Sequence, residues 1–510
     1  MKVNQLKAGA FLSYVSMGLG YIISIIYTPI MLRLLGQSEY GLYNLVSSVV
    51  SYLGLLNFGF GSAYMRYYSR YKVKDDQANI AKLNGMFLIV FSIIGFISLV
   101  AGSILVCNTG LIFGSKLTLD ELSTAKVLMA IMVFNIVISF PASVFNSYIT
   151  ANEEYVFQKL LQMVKTVVNP FVMLPVLLLG YKSVGMVVVT TILTIALEIS
   201  NLVFCFKKLK MKFQFRSFDF SLMKEMTVFS SYIFMNLIID QINWNVDKFI
   251  LGRFRGTVAV AVYGLAAQLN TYYVTMSTSI SSVFIPRINR IVASKNSNVE
   301  LTDLFIRIGR IQFIILSLIC SGLIFFGKPF IRMWGGVDYV EAYPIALLLI
   351  VPVTIPLIQN IGIEIQKAKN MHKFRSWVYL FIAIGNVLLS IPLAKIHGGI
   401  GAALGTAISL LLGNGIIMNW YYHTRVGLDM KCFWSQILRF VPAFILPAIT
   451  GIIILKNINL YNIINFLIYG CVYVLVYFTS MWFLGMNKYE KGLIRKPIIE
   501  VLKKLKILYA

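Results

Sequence analysis

Residues 226–256 read MTVFSSYIFMNLIIDQINWNVDKFILGRFRG, and the reading of this stretch decides the fold. It has the length and apolar flanks of a membrane-spanning helix, yet Asn236, Asp240, Asn243 and Asp247 recur at spacings of four, three and four. At about 1.5 Å rise per residue, that spacing keeps all four on one helical face over roughly 16 Å. A carboxylate near mid-bilayer costs on the order of 2.5–3.5 kcal/mol, so it normally faces a partner or a watery cavity and marks a candidate functional site. The competing reading is a polar stripe that only joins neighbouring helices. Asp247 and Lys248 are expected nearer an interface, where their side chains reach water.

The rest of the chain fits a membrane setting. Of its 510 residues 58% are hydrophobic and 13% charged, and apolar runs near twenty residues recur along it, as expected of an all-α polytopic membrane protein. Cys107, Cys205, Cys320, Cys432 and Cys471 lie far apart, mostly inside apolar runs, and His372, His397 and His423 have no metal-like companion. Neither a disulfide framework, a metal site nor a cofactor is expected.

The apolar runs predict about fourteen transmembrane helices, at 9–31, 41–64, 83–107, 124–150, 158–180, 184–206, 226–250, 258–285, 309–327, 343–365, 375–394, 399–421, 438–456 and 461–485. An even count puts both termini on one side. With alternating sides, 33 of the 45 Lys and Arg fall on the side of the termini and 11 on the other, and Lys165 lies inside a span. Positive charge accumulates on the cytoplasmic side, so both termini are expected there. The net charge of +25 is therefore topological, with membrane lipids and not nucleic acid as its contact. The first apolar run is kept as span one and not as a signal peptide, being too long and without a small-residue cleavage site. Residues 486–510 interleave Lys and Arg with Ile, Leu and Val, which predicts a basic amphipathic tail on the cytoplasmic leaflet, a solvated tail being the alternative.

An internal repeat organises the spans. Phe11-Leu12-Ser13-Tyr14 answers Phe229-Ser230-Ser231-Tyr232, Leu35-Gly36 answers Leu251-Gly252, and Tyr40-Gly41-Leu42 answers Tyr263-Gly264-Leu265, in order and at a nearly constant offset. Six spans separate the copies, so the halves are expected to be parallel, as two six-helix lobes related by a pseudo-two-fold along the membrane normal plus two C-terminal helices. The expected division is an N-lobe at 1–206, a cytoplasmic linker at 207–225, a C-lobe at 226–422, extra helices at 423–485 and the tail at 486–510. Repeated halves with a polar face at their junction suit alternating-access transport.

Arg33-Leu34-Leu35-Gly36 with Glu39-Tyr40-Gly41-Leu42-Tyr43, Asn57-Phe58-Gly59-Phe60-Gly61 with Arg66, and Asp247-Lys248-Phe249-Ile250-Leu251-Gly252 with Tyr263 carry a resemblance. With them the whole chain resembles the polysaccharide-transporter branch of the multidrug/oligosaccharidyl-lipid/polysaccharide exporter superfamily, the bacterial flippases of O-antigen and capsule repeat units. The resemblance implies a two-lobed fold in the bacterial cytoplasmic membrane. It implies movement of an undecaprenyl-pyrophosphate-linked oligosaccharide from inner to outer leaflet, through a central cavity. It also implies coupling to a proton, a sodium ion or the membrane potential, and work alongside a polysaccharide polymerase. A multidrug/cation antiporter and a peptidoglycan-precursor flippase are the rivals, but span one has no charge between Lys7 and Arg33, a departure from both. A membrane scaffold that transports nothing is the reading from another class.

Such a cargo asks for cations to meet pyrophosphate and for amides and aromatics to meet sugar. Arg66 and Arg33 close spans, and arginine grips phosphate with a bidentate fork; each is equally readable as a topology anchor. The pathway candidates are therefore Arg33, Arg66, Asn236, Asp240, Asn243, Asp247 and Lys248. Asn44, Asn57, Gln268 and Asn270 supply further amides that bind sugar or bridge helices. Lys165 and Glu198 lie equally far from the turn between spans five and six, so they are expected at one depth, as an ion pair or in one watery pocket. Pro344, Pro352 and Pro356 predict a kinked span ten.

No enzyme is expected. Gly322 to Lys328 spells GxxxxGK, but Pro329 stands where Ser or Thr is needed and the run is apolar. The longest hydrophilic connections, near 66–82, 207–225 and 286–308, are too short for a catalytic domain.

Overall fold

The computed structural model describes residues 5–215, 218–294 and 298–495, and among them the chain is helical with no strand. The distal part of the expected tail, 496–510, lies outside the described residues. Two compact units are present, Met1–Gly264 with Val387–Ala402, and Leu265–Asn386 with Ala403–Ala510.

The first unit contains α1 (Gln5–Val50), α2 (Phe60–Val73), α3 (Gln77–Cys107), α4 (Thr109–Phe113), α5 (Leu119–Ala151), α6 (Tyr155–Leu178), α7 (Lys182–Lys207) and α8 (Phe220–Arg255), and α9 (Thr257–Ser282) begins in it. Several helix starts follow from one polar side chain. Asp76 accepts from the Asn79 N–H at 3.0 Å, Thr118 and Glu121 form a capping box, and Asp219 accepts from the Leu222 N–H at 2.9 Å. Each satisfies an amide that the first helical turn leaves open. The core is aromatic, with Tyr64 edge-on to Phe87 and Tyr68 edge-on to Tyr148. Across it runs the chain after α7, where Gln214 N donates to Ala81 O at 2.9 Å and Lys212 O accepts from Asn84 at 2.9 Å. Gly85 permits this close approach, because a Cβ there would overlap the Gln214 backbone.

Helix α8 packs inside the first unit. Phe58 and Phe234 rings meet at 4.4 Å, Ile233 fills the space over Gly59, and Gln241 donates to Ser51. At the end of α8 two arginines satisfy carbonyls of other helices. Arg253 Nη1 donates to Leu111 O at 2.5 Å and Ile112 O at 2.9 Å. Arg255 donates to Ala394, Lys395 and Ile396 carbonyls at 3.2, 2.7 and 2.7 Å. Helix C-termini leave such carbonyls open, and a guanidinium fork suits them.

The second unit contains α10 (Ile285–Ala293), α11 (Asn298–Trp334), α12 (Ala342–Ile358), α13 (Asn360–Ala368), most of α14 (His372–Leu410), α15 (Asn419–Tyr421), α16 (Met430–Leu438), α17 (Val441–Asn457) and α18 (Ile463–Ser480). Its main core gathers Phe305, Ile358, Tyr422 and Phe433. Pro352 and Pro356 lie inside α12, and the axis bends by 41° into α13, consistent with the kink expected of span ten. Arg310 is 3% exposed and forks onto Glu490 at 2.6 and 3.0 Å, and it also donates to Gln436 and Gly485 carbonyls.

Among the described residues ten helices are long and apolar enough to cross a membrane, or eleven if the bent α12–α13 pair is one span. Ten or eleven such helices do not by themselves give the fourteen expected crossings, and two features account for the difference. Phe11–Val73, 63 residues, and Lys373–Val426, 54 residues, each stand as one stretch in that number, although the first is interrupted at 51–59 between α1 and α2. A straight 63-residue helix would reach roughly 95 Å, about three times the hydrocarbon thickness. Both stretches instead change direction at a glycine with non-helical backbone, Gly36 (φ 75°) and Gly398 (φ 59°). Nothing lies within 4 Å of a Cβ built on Gly36, so its positive φ, and not crowding, is what favours glycine there. The second feature is polarity: α9, expected as a span over 258–285, is not among the ten.

Candidate functional site on helix α8

Helix α8 carries the polar residues that opened the sequence reading, and its packing separates them into two groups. Asn236 and Asp240 are exposed, together with Ser231, Met235 and Trp244, so one stripe of this helix is open. Asn243 is half-buried. Asp247, on the same face by helical angle, is 2% exposed, because α9 folds back over it and the Tyr263 hydroxyl donates to its carboxylate at 2.6 Å. Lys248 is half-buried, with no hydrogen bond or ion pair among the described residues. The other side of α8 faces the first unit through Gln241, whose amide donates to Ser51.

Arg66 joins this face. Its guanidinium stands 4.7 Å from the centre of the Phe229 ring, and Phe229 lies seven residues before Asn236, two turns along the same side of α8. The arginine is exposed, so its fork remains open to a ligand. Arg33 is also exposed, near the Gly36 break of α1. The arrangement is thus an exposed cation over an aromatic ring, followed by an amide and a carboxylate at successive turns, on a helix of membrane-spanning length.

Of the other amides, Asn44 donates to Tyr40 O at 2.9 Å and lies against Gly264, and Gln268 donates to the Tyr272 hydroxyl at 2.6 Å. The side-chain oxygens of Asn57 and Asn270 are buried without a hydrogen bond. Lys165 donates to Thr194 at 3.2 Å, and Glu198 accepts from Asn201 at 3.4 Å. The two charges act on each other but make no direct ion pair within 4 Å. Glu364 is paired with Lys367 at 2.8 Å.

Sequence reasoning missed three functional or structural placements. The Tyr263–Asp247 bond joins two motifs that were quoted side by side but not paired. Gln241 was passed over because it lies off the stripe. Arg310 and Glu490 lie 180 positions apart, and neither has a local pattern that marks it.

Long apolar helices, one of them exposing Asn236 and Asp240 on one face, define a multi-pass membrane protein. The chain belongs to the polysaccharide biosynthesis protein family, whose model matches residues 6–292, in the polysaccharide-transporter branch of the exporter superfamily named above. It is 19% identical over 408 residues to a Shigella flexneri protein provisionally named an O-antigen transporter, covering 76% of this chain and 91% of the relative. It is 22% identical over 241 residues to the teichuronic acid biosynthesis protein TuaB of Bacillus subtilis, covering 46% and 48%. Among solved structures, the fold matches the lipid II flippase MurJ in an inward closed conformation with a TM-score of 0.72 at 18% identity, covering 96% of this chain and 99% of that one. An inward-facing multidrug resistance MATE family transporter matches with a TM-score of 0.67 at 13% identity, covering 83% and 99%.

Proposed function

We propose that this protein is a flippase that moves undecaprenyl-pyrophosphate-linked oligosaccharide repeat units from the inner to the outer leaflet of the bacterial cytoplasmic membrane, for surface polysaccharide synthesis. The observation that carries this reading is the open face of α8, where Arg66 over Phe229 leads to Asn236 and Asp240. A guanidinium can meet pyrophosphate, while amide, carboxylate and aromatic groups can meet sugar hydroxyls and rings. Family membership supports the same cargo class. In this reading Arg33, Asn243, Asp247 and Lys248 complete the pathway, and Asp240 is the group through which a proton or sodium ion acts. The lobes expected at 1–206 and 226–422 alternate in access, both termini are cytoplasmic, and a polysaccharide polymerase consumes the product.

A peptidoglycan-precursor flippase is the second reading, supported by the match to MurJ over 96% of the chain. The deciding experiment is leaflet translocation of a fluorescent undecaprenyl-pyrophosphate oligosaccharide in proteoliposomes, with lipid II as competitor cargo. Translocation by wild type that fails in folded Asp240→Asn is the expected result. Movement of lipid II alone would favour the second reading, and efflux of cationic dyes with neither lipid moved would overturn both.

A further inference from the structure

Helices α6 and α7 each carry one ionisable group within the apolar bundle of the first unit, and the α8 face uses neither. The Lys165 ammonium donates to the Thr194 hydroxyl at 3.2 Å, and Glu198 stands one turn beyond Thr194 on α7. Both charges are half-buried, and each acts electrostatically on the other. Other charged groups lie on the helices packed around them. Glu39 of α1 is tied to Lys182 and Ser183, and Glu121 of α5 accepts from Ser38, Thr118 and Thr257. Arg33 of α1, Asp120 and Lys126 of α5, Lys159 of α6 and Lys207 of α7 are further charged residues on these helices.

A cavity lies one turn from Thr194 along α7. The Thr194 hydroxyl donates to Thr190 O at 2.7 Å, and Thr190 lines a cavity of about 240 Å³ together with Tyr43, Ser47, Ser51 and Asn135. Five of the nine lining residues therefore carry a hydroxyl or an amide and none carries a charge, which suits water held by several neutral partners. At its far side Ser51 accepts from Gln241 of α8, the residue next to Asp240. Ionisable pair, Thr194, Thr190, the polar cavity and the Asp240-bearing helix thus follow one another inside one unit.

We propose that Lys165 and Glu198 form a proton-binding site and that the hydroxyl-lined cavity is its water-filled route to α8. The Glu198 carboxylate takes a proton from cavity water to become a neutral carboxyl and returns it to the same water. Lys165 keeps its charge throughout, so the site changes from net zero to +1 on protonation. Only the use made of the proton rests on the transporter reading.

The test is infrared difference spectroscopy of the full-length protein in proteoliposomes, titrated across about pH 5 to 9. Wild type should show a protonated-carboxyl band that is lost in Glu198→Gln and kept in Glu198→Asp, which retains the acid should the glutamine variant misfold. In Lys165→Met the carboxyl should bind its proton about tenfold more tightly, because the cation that favours the carboxylate is gone. Ser51→Leu, which fills the cavity beside α8, should slow the response to a pH jump about tenfold or more. A band that survives in folded Glu198→Gln, or one indifferent to Lys165→Met, would overturn the proposal. The measurement needs no substrate. A protein that titrates but moves no lipid-linked glycan sinks the flippase reading alone, whereas one that moves it without a Glu198 band sinks this proposal alone.

Discussion

The Tyr263 hydroxyl donates to the Asp247 carboxylate at 2.6 Å, and both residues are buried. Removing the hydroxyl withdraws a donor from a charge that water does not reach. Tyr263→Phe is expected to cost about 1–2 kcal/mol, and Asp247→Asn, which can still accept the bond, less. Thermal melting of the two purified variants in detergent checks the order, and equal losses would count against it.

Arg66 is exposed over Phe229, so replacing it should harm cargo handling and not folding. Arg66→Ala is expected to lower translocation about tenfold or more with an unchanged melting temperature, and Arg66→Lys to restore only part, because a point charge lacks the fork. Full activity in folded Arg66→Ala would leave the residue a topology anchor.

Arg310 and Glu490 behave differently, being a buried pair with additional bonds to Gln436 and Gly485 carbonyls. Removing either partner strands the other charge, and Arg310→Ala or Glu490→Ala should each cost about 3–5 kcal/mol. The double variant Arg310→Met with Glu490→Leu should be less destabilised than the two losses added together. A denaturant or thermal series on the four proteins gives the coupling directly.

Asp76 caps α3, and its carboxyl is held below the ordinary value of 3.8, first by the Asn79 backbone N–H and then by the Asn79 side chain. A depressed folded value means that the cap's contribution is fully present above pH 3.8 and is lost as pH falls through the lower folded value. The protection factors of the Asn79 and Ile80 amides, taken against intrinsic exchange at each pH, should therefore fall at acid pH in wild type. Asp76→Asn, still a cap but without the ionisation, should remove that pH dependence.

The class of fold was legible because a bilayer imposes one length and one polarity on every crossing helix, and the runs from residue 83 to residue 206 show both. The stripe of α8 was legible because four polar residues kept helical spacing inside such a run. Two turns were legible as well, because Gly36 and Gly398 fall inside the connections expected at 32–40 and 395–398, whereas α9 is too polar to count among the long apolar helices. The burial of Asp247 depended on where α9 folds back, and the Arg310–Glu490 pair on contacts between distant segments. Neither distance in space is encoded by a neighbouring residue.

The strap that Gly85 admits over α3 has a mechanical consequence. Because the chain is held down at Lys212 and Gln214, only the residues between Gln214 and Phe220 are left to feed α8. Fully drawn out, those six intervals span roughly 20 Å. Helix α8 is thus on a short leash at its entry and clamped by Arg253 and Arg255 at its exit, so it can pivot between two fixed points but cannot travel freely along its own axis.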